Sequence, residues 1–190
     1  MEAEILEEKD VNLVEKLIKS DEVYHGKLLH VYNDTVKLPN GKTATREWIR
    51  HPGAAAVIPI LDDGRIVLVK QYRYPTGKVT LEIPAGKLDQ GEEPLVCARR
   101  ELKEETGYTT NSLVKMAEIG TTMAFSNEII HLYIAKDLVA GDMCPDEDEF
   151  INTVILNEEE IEKLIASGQI NDAKTLTALL LMKRENLYVK

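Results

Sequence analysis

The stretch Gly86-Lys-Leu-Asp-Gln-Gly91-Glu92-Glu-Pro94-Leu-Val-Cys97-Ala-Arg-Arg100-Glu101-Leu-Lys-Glu104-Glu105-Thr-Gly107-Tyr108 decides how the rest of this chain is read. Pro94 suits the first turn of a helix, where its missing N–H costs no hydrogen bond. Glu92 and Glu93 stand at the positive end of that helix. Leu95, Ala98 and Leu102 recur at three- and four-residue spacing and predict an apolar stripe. Gly107 is placed to end the helix in a left-handed turn. Glu101, Glu104 and Glu105 share one sector of the helix surface, where like charges cost roughly 0.2–0.5 kcal/mol per pair. Arg100, four residues before Glu104, is one candidate to offset that repulsion; a divalent cation is another. Most acidic runs are solvated faces. This one is flanked by Gly86, Glu92, Arg100 and Gly107 at fixed offsets, and a chance match at seven such positions is on the order of one in a million. Clustered carboxylates suit hard cations such as Mg²⁺, which take oxygen ligands and bridge to substrate phosphates.

Outward from the helix, Ala54 to Leu61 is a continuous apolar run and predicts a buried strand. Asp62-Asp63-Gly64 turns the chain, and Arg65 to Tyr72 returns it. Further strands are expected near residues 80–84, 113–121, 128–136 and 150–156. Asn157 is placed to cap a helix with Glu158, Glu159 and Glu160 in its first turn, and Asn171 to cap a final helix through about Arg184. Residues 10–19 predict a short helix. Residues 22–50 read as β structure, turning at Pro39-Asn40-Gly41, a hairpin signal. His51-Pro52-Gly53 sets the expected boundary between an N-terminal β-subdomain, 1–50, and a main domain, 51–190. Strands on both sides of a central helix, followed by closing helices, predict a layered α/β/α domain. The segment Pro145-Asp146-Glu147-Asp148-Glu149 lies between two strands and reads either as a solvated loop or as one that carries chemistry.

The 190 residues suit one domain with a modest extension, and 44% hydrophobic with 29% charged residues is an ordinary globular balance. A net charge of −10 argues against a nucleic-acid partner, whose backbone needs clustered Lys and Arg. It also means that a phosphate substrate would be repelled from this acidic site unless metal ions intervened. No run approaches the ~18 apolar residues of a membrane span. The first ten residues lack the basic and apolar regions of a signal peptide, so a cytoplasmic protein with no membrane partner is expected. Cys97 and Cys144 have no metal-type spacing and supply no disulfide framework; Cys97, inside the helix, reads as a small packed side chain. The four histidines, His25, His30, His51 and His131, form no i, i+4 ligand pair and are assigned no metal role.

The pattern from Gly86 to Tyr108 resembles the Nudix box, the signature of hydrolases that cleave nucleoside diphosphates linked to another moiety. Arg46-Glu47-Trp48, Gln71-Tyr72-Arg73, Leu81-Glu82-Ile83-Pro84-Ala85-Gly86 and Phe125-Ser126-Asn127-Glu128 extend the likeness to the ADP-ribose pyrophosphatase branch. Met123-Ala124-Phe125-Ser126 stands where many relatives have a Ser-Pro-Gly-Phe-Ser turn. The resemblance implies a Nudix-type α/β/α sandwich with a mixed β-sheet. It implies hydrolysis of ADP-ribose to AMP and ribose 5-phosphate with Mg²⁺, or alternatively Mn²⁺, as cofactor. It further implies a homodimer exchanging its N-terminal β-subdomains. Ala85 would offer a backbone carbonyl to metal, Glu101 and Glu105 carboxylates, and Glu104 a ligand or neighbouring support. Arg73 would contact the diphosphate, Glu128 the terminal ribose, and Glu82 the metal or ribose region. Trp48 would stack on adenine across the dimer interface, with Arg50 beside it in the substrate-binding set; an aromatic on a hairpin strand is otherwise more often core. Glu147 would be the general base, grouped with Glu104 and Arg100 as catalytic, and Glu149 a metal ligand or its support. A carboxylate bound directly to Mg²⁺ is a poor base, which favours a mobile group from elsewhere.

Other readings have distinct signatures. A Nudix enzyme for another sugar nucleotide, such as ADP-glucose or GDP-mannose, would differ only in pocket shape. A module that senses ADP-ribose without cleaving it should carry an eroded acidic motif and an added nucleic-acid-binding domain; here the motif is complete. The intact motif likewise argues against a purely structural interaction protein.

Overall fold

Alternate residues of a strand face opposite ways, and in Ala54–Pro59 both sets are buried, which is why that run has no polar position. The computed structural model describes residues 10–184; the reading of Met1–Lys9 as lacking a leader lies outside them. Ten strands and three α-helices follow in order: β1 (Lys16–His25), β2 (His30–Lys37), β3 (Thr43–Arg50), β4 (Ala54–Pro59), β5 (Ile66–Arg73), β6 (Lys78–Glu82), β7 (Ala85–Lys87), α1 (Pro94–Thr106), β8 (Ser112–Gly120), β9 (Ile129–Lys136), β10 (Ile151–Leu156), α2 (Glu158–Ala166) and α3 (Ala173–Arg184). The chain divides into two compact units, one running to His51 and including Thr122–Glu128, the other Pro52–Thr121 with Ile129 onward.

The N-terminal unit is an antiparallel meander, β1-β2-β3. Gly41, at φ 82°, supplies the left-handed residue in the β2–β3 turn. The helix expected over residues 10–19 is absent: a single 3-10 turn ends at Leu13, and β1 begins at Lys16. A short isolated helix is marginal, whereas β1 gains a ladder along the whole of β2, from Lys16 opposite Lys37 to His25 opposite His30. Thr122–Glu128 joins this unit through Ile49 N–H to Phe125 O at 2.8 Å and His51 N–H to Asn127 Oδ1 at 2.8 Å. No local signal marks that segment, because its partner strand lies more than seventy residues earlier.

In the second unit a mixed sheet runs β7-β4-β9-β8, with β4 and β9 parallel, and an antiparallel sheet runs β10-β5-β6. Ala55 and Val57 on β4, with Tyr133 and Ala135 on β9, meet Cys97, Ala98 and Leu102 of α1. The opposite face, Ala54, Ala56, Ile58, Ile130, Leu132 and Ile134, packs with β5, β6, α2 and α3 in the main core. These layers form the α/β/α architecture. Within α1, Leu95 is left out of the buried patch and is 40% exposed, so the working stripe is Cys97-Ala98-Leu102. Asn157 caps α2 in a full capping box with Glu160. For α3 the cap is Asp172, one residue later than expected, because its carboxylate accepts both the N–H and the hydroxyl of Thr175, at 2.9 and 2.6 Å. Among the described residues no helix is long and apolar enough to cross a membrane.

Candidate active site

Burial of α1 against the sheet carries two carboxylates inward with the apolar stripe: Glu101 and Glu105 are only 6% and 3% exposed. They sit against β7, the short strand that sequence patterning missed because three residues are too few to show a period. The N–H of Ala85 donates to Glu105 Oε2 at 3.0 Å, and a Cβ on Gly86 would fall on the Glu101 carboxylate. The glycine is therefore required by a side chain's approach. Gly107 ends α1 at φ 75°, and a Cβ there would crowd the backbone at Gly141 and Met143, where the acidic loop begins.

Arg100 organises the rim. Its guanidinium forks onto Glu92 at 2.9 and 3.0 Å, reaches Glu101 at 2.5 Å and Glu104 at 3.0 Å, and donates to the Lys87 carbonyl at 3.1 Å. Arg100 thus offsets part of the acidic repulsion, and the clamp holds Glu92 at a pKa of about 2. It does not neutralise the two buried carboxylates. Burial pushes Glu101 up to about 7, outweighing the Arg100 contact, with the charges of Glu104 and Glu149 adding to the rise. Burial, then the charge of Glu101, pushes Glu105 up to about 8. A pair of buried carboxylates with raised pKa values, with Glu149 acting on both, fits a hard divalent cation that takes oxygen ligands.

Glu149 lies half-buried in the acidic loop; burial and then Asp146 raise its pKa, and its own charge is felt at both Glu101 and Glu105. Glu147, two residues earlier, is exposed in the turn closed by Glu149 N–H to Asp146 O at 3.0 Å. Arg73 acts electrostatically on Glu105 and Glu149. Its guanidinium is held by a two-pronged pair with Glu82 at 3.0 and 2.8 Å, while its side chain remains 40% exposed.

Glu82 in turn is buried and engaged by Arg73, Lys174 and the Thr80 hydroxyl. Burial alone would raise its pKa, but these partners outweigh burial and hold it at about 2. Lys174 also meets Asp172 at 3.0 Å, and Thr175, beside it, accepts from the N–H of Ile83 at 2.9 Å. The first turn of α3 thereby anchors the residues on either side of the β6 end. Sequence reasoning passed over Lys174. The available signal was a cation in the first turn of a helix, where the macrodipole disfavours it, so that a buried acid had to be its partner.

Trp48, Arg50 and Glu128 belong to the N-terminal unit. Trp48 is half-buried, stacked on Tyr32 with ring centroids 4.9 Å apart, and donates from Nε1 to Asp34 at 2.8 Å. Arg50 lies 5.3 Å above the Tyr32 ring. Glu128 lies 3.4 Å from His51 Nδ1.

Residues 50–179 match the NUDIX domain and residues 15–49 the nucleoside diphosphate sugar hydrolase N-terminal domain. The chain is 43% identical over 170 residues to an ADP-ribose pyrophosphatase of Bacillus subtilis, covering 88% of this chain and 92% of that one. It is 45% identical over 167 residues to a methanol dehydrogenase activator of Bacillus methanolicus, covering 87% and 90%. Among solved structures, an ADP compounds hydrolase superposes with a TM-score of 0.81 at 25% identity, covering 90% of this chain and 92% of that one. Nudix hydrolases generally use divalent metal ions, as the buried carboxylate pair on α1 would require. On the family match across most of its length, together with the intact acidic helix, this chain belongs to the Nudix hydrolase family.

Proposed function

We propose that this protein hydrolyses the diphosphate bond of ADP-ribose, giving AMP and ribose 5-phosphate. The observation that carries the reading is the pair of buried carboxylates with raised pKa values, Glu101 and Glu105, on the intact acidic helix. Similarity to an ADP-ribose pyrophosphatase over most of both chains supports the substrate. Mg²⁺ suits the oxygen-only donor set, with Glu101, Glu105, Glu149 and the Ala85 carbonyl as its ligands and Glu104 as ligand or support. When bound, the ion neutralises charge on the diphosphate and makes water more acidic.

The chain's own residues bind, orient and move the proton. Arg73 presents its guanidinium to the diphosphate, a geometry that matches two phosphate oxygens at once. Glu82 and Lys174 fix its position. Arg100 holds the rim carboxylates apart and in place. Glu147, exposed and not committed to the cluster, accepts the proton of the attacking water as the P–O bond breaks. Trp48 offers its indole to adenine, with Arg50 beside it, and Glu128 accepts from the terminal ribose hydroxyls.

The protein acts as a homodimer through the N-terminal β-subdomain, residues 1–50. Support comes from β1, in which every residue is exposed in the single chain, including Leu17, Ile18, Val23 and Tyr24. A strand that exposes four large apolar side chains calls for a covering surface.

The test is a product assay over ADP-ribose, ADP-glucose, GDP-mannose and dinucleotides, with Mg²⁺ in ¹⁸O-labelled water. AMP and ribose 5-phosphate from ADP-ribose, with one labelled oxygen, are expected. Faster turnover of GDP-mannose would reassign the substrate, and binding of ADP-ribose without turnover would make the protein a sensor.

A further inference from the structure

The β1–β2 hairpin brings together three metal-ligating side chains that the proposed active site does not use. His25 and His30 are directly opposed across the ladder, joined by a turn that Gly26 N–H closes on Leu29 O at 2.8 Å. Their rings meet edge to face with centroids 4.2 Å apart. Glu22 precedes His25 by three residues, and strict alternation would send it to the other face. A register shift between Glu22 and Tyr24 inserts one residue and returns Glu22 to the histidine face. Its Oε1 then lies 2.7 Å from His30 Nδ1 and 3.1 Å from His25 Nδ1, with the Tyr32 hydroxyl donating to it at 3.2 Å. One ligand atom from each of Glu22, His25 and His30 falls within 4.8 Å of the others. The helical i, i+4 criterion by which the histidines were set aside does not apply to strands. Cross-strand pairing and a bulge supply the convergence instead.

We propose that Glu22, His25 and His30 form a second metal site, one that takes a divalent transition ion of the Zn²⁺ type. Two imidazoles and a carboxylate are the donors such borderline ions prefer, whereas Mg²⁺ and Ca²⁺ select all-oxygen sets like that of α1. Three protein ligands would leave a position for water. The guanidinium of Arg50 approaches His30 Nδ1 at 3.3 Å. That nitrogen cannot donate to Glu22 and accept from Arg50 together. A bound ion would displace both contacts from that nitrogen.

The experiment titrates the metal-free full chain with Zn²⁺ by calorimetry in saturating Mg²⁺, which keeps the oxygen-only site filled. One equivalent with micromolar affinity is expected, together with a rise in Tm on adding Zn²⁺. His25→Gln and His30→Gln should each weaken binding at least ~10-fold, Glu22→Gln should weaken it less, and Arg50→Gln should tighten it. Each variant should melt near the parent without Zn²⁺, which separates loss of a ligand from loss of fold. No saturable binding, or binding that survives the His25→Gln/His30→Gln double variant, would overturn the site. Binding abolished instead by Glu105→Gln would move the ion to α1 and overturn it equally. None of these readouts depends on turnover of ADP-ribose.

Discussion

Gly86 and Glu105 show how single residues set the chemistry. A Cβ at Gly86 would fall on the Glu101 carboxylate, the movable end of a flexible side chain. Gly86→Ala should therefore cost little stability but displace the Glu101 carboxylate, a proposed ligand. A Tm within a few degrees of the parent and a loss of kcat on the order of 10- to 100-fold are expected, checked by thermal melts and steady-state kinetics. Glu105→Gln should leave the fold intact, because the amide can still accept from the Ala85 N–H. On the proposed ligand set it removes one anionic ligand, so kcat should fall at least ~10²-fold at saturating Mg²⁺. Unchanged kcat there would remove Glu105 from the ligand set.

At the scale of elements, α3 is tied to the end of β6 by charge as well as packing. Lys174 is 8% exposed and its main partner, Glu82, is 4% exposed. Lys174→Met should leave Glu82 with Arg73 as its one cation, and breaking such a buried pair costs roughly 3 kcal/mol. The pH dependence follows in sign. Glu82 is held at about 2, below the ordinary carboxylate value, so its contribution is present above about 4.5 and lost as pH falls through about 2. Losing Lys174 raises that pKa and should move acid unfolding to higher pH, read by circular dichroism against pH. The acidic loop offers a second element-level contrast. Glu149 is coupled to the α1 carboxylates while Glu147 is exposed. Glu149→Gln should shift the Mg²⁺ requirement, and Glu147→Gln should lower kcat with KM and Mg²⁺ dependence near normal. Reversed phenotypes would exchange the two roles.

For the whole molecule the open question is assembly. A three-stranded meander is at the lower limit of independent stability, and its outer strand carries exposed Leu17, Ile18, Val23 and Tyr24. Sedimentation at micromolar concentration should give a dimer. Leu17→Asp with Val23→Asp should yield monomers with reduced activity. A fully active monomer of the unaltered chain would contradict the exchanged-subdomain assembly.

Much of this was written locally. The helix from Pro94 to Gly107, the hairpin at Gly41 and the capping box at Asn157 each rest on contacts within a few residues, so spacing and residue type suffice to read them, while the run Ala54–Pro59, whose partner β9 is distant, announces its burial by an unbroken apolar composition. The box carboxylates were legible for the same reason: helical periodicity alone places Glu101 and Glu105 on one face. What only the tertiary structure decided depends on partners distant in sequence. β1 replaced a weak helix because β2 offered it a ladder. Lys174 became a buried cation because Glu82, 92 residues earlier, needed one. Thr122–Glu128 joined the N-terminal sheet through Ile49 and His51. Glu22, His25 and His30 converged through a one-residue bulge that no local pattern marks. In each case the deciding energy is a hydrogen bond or ion pair closed only once the chain has folded back on itself.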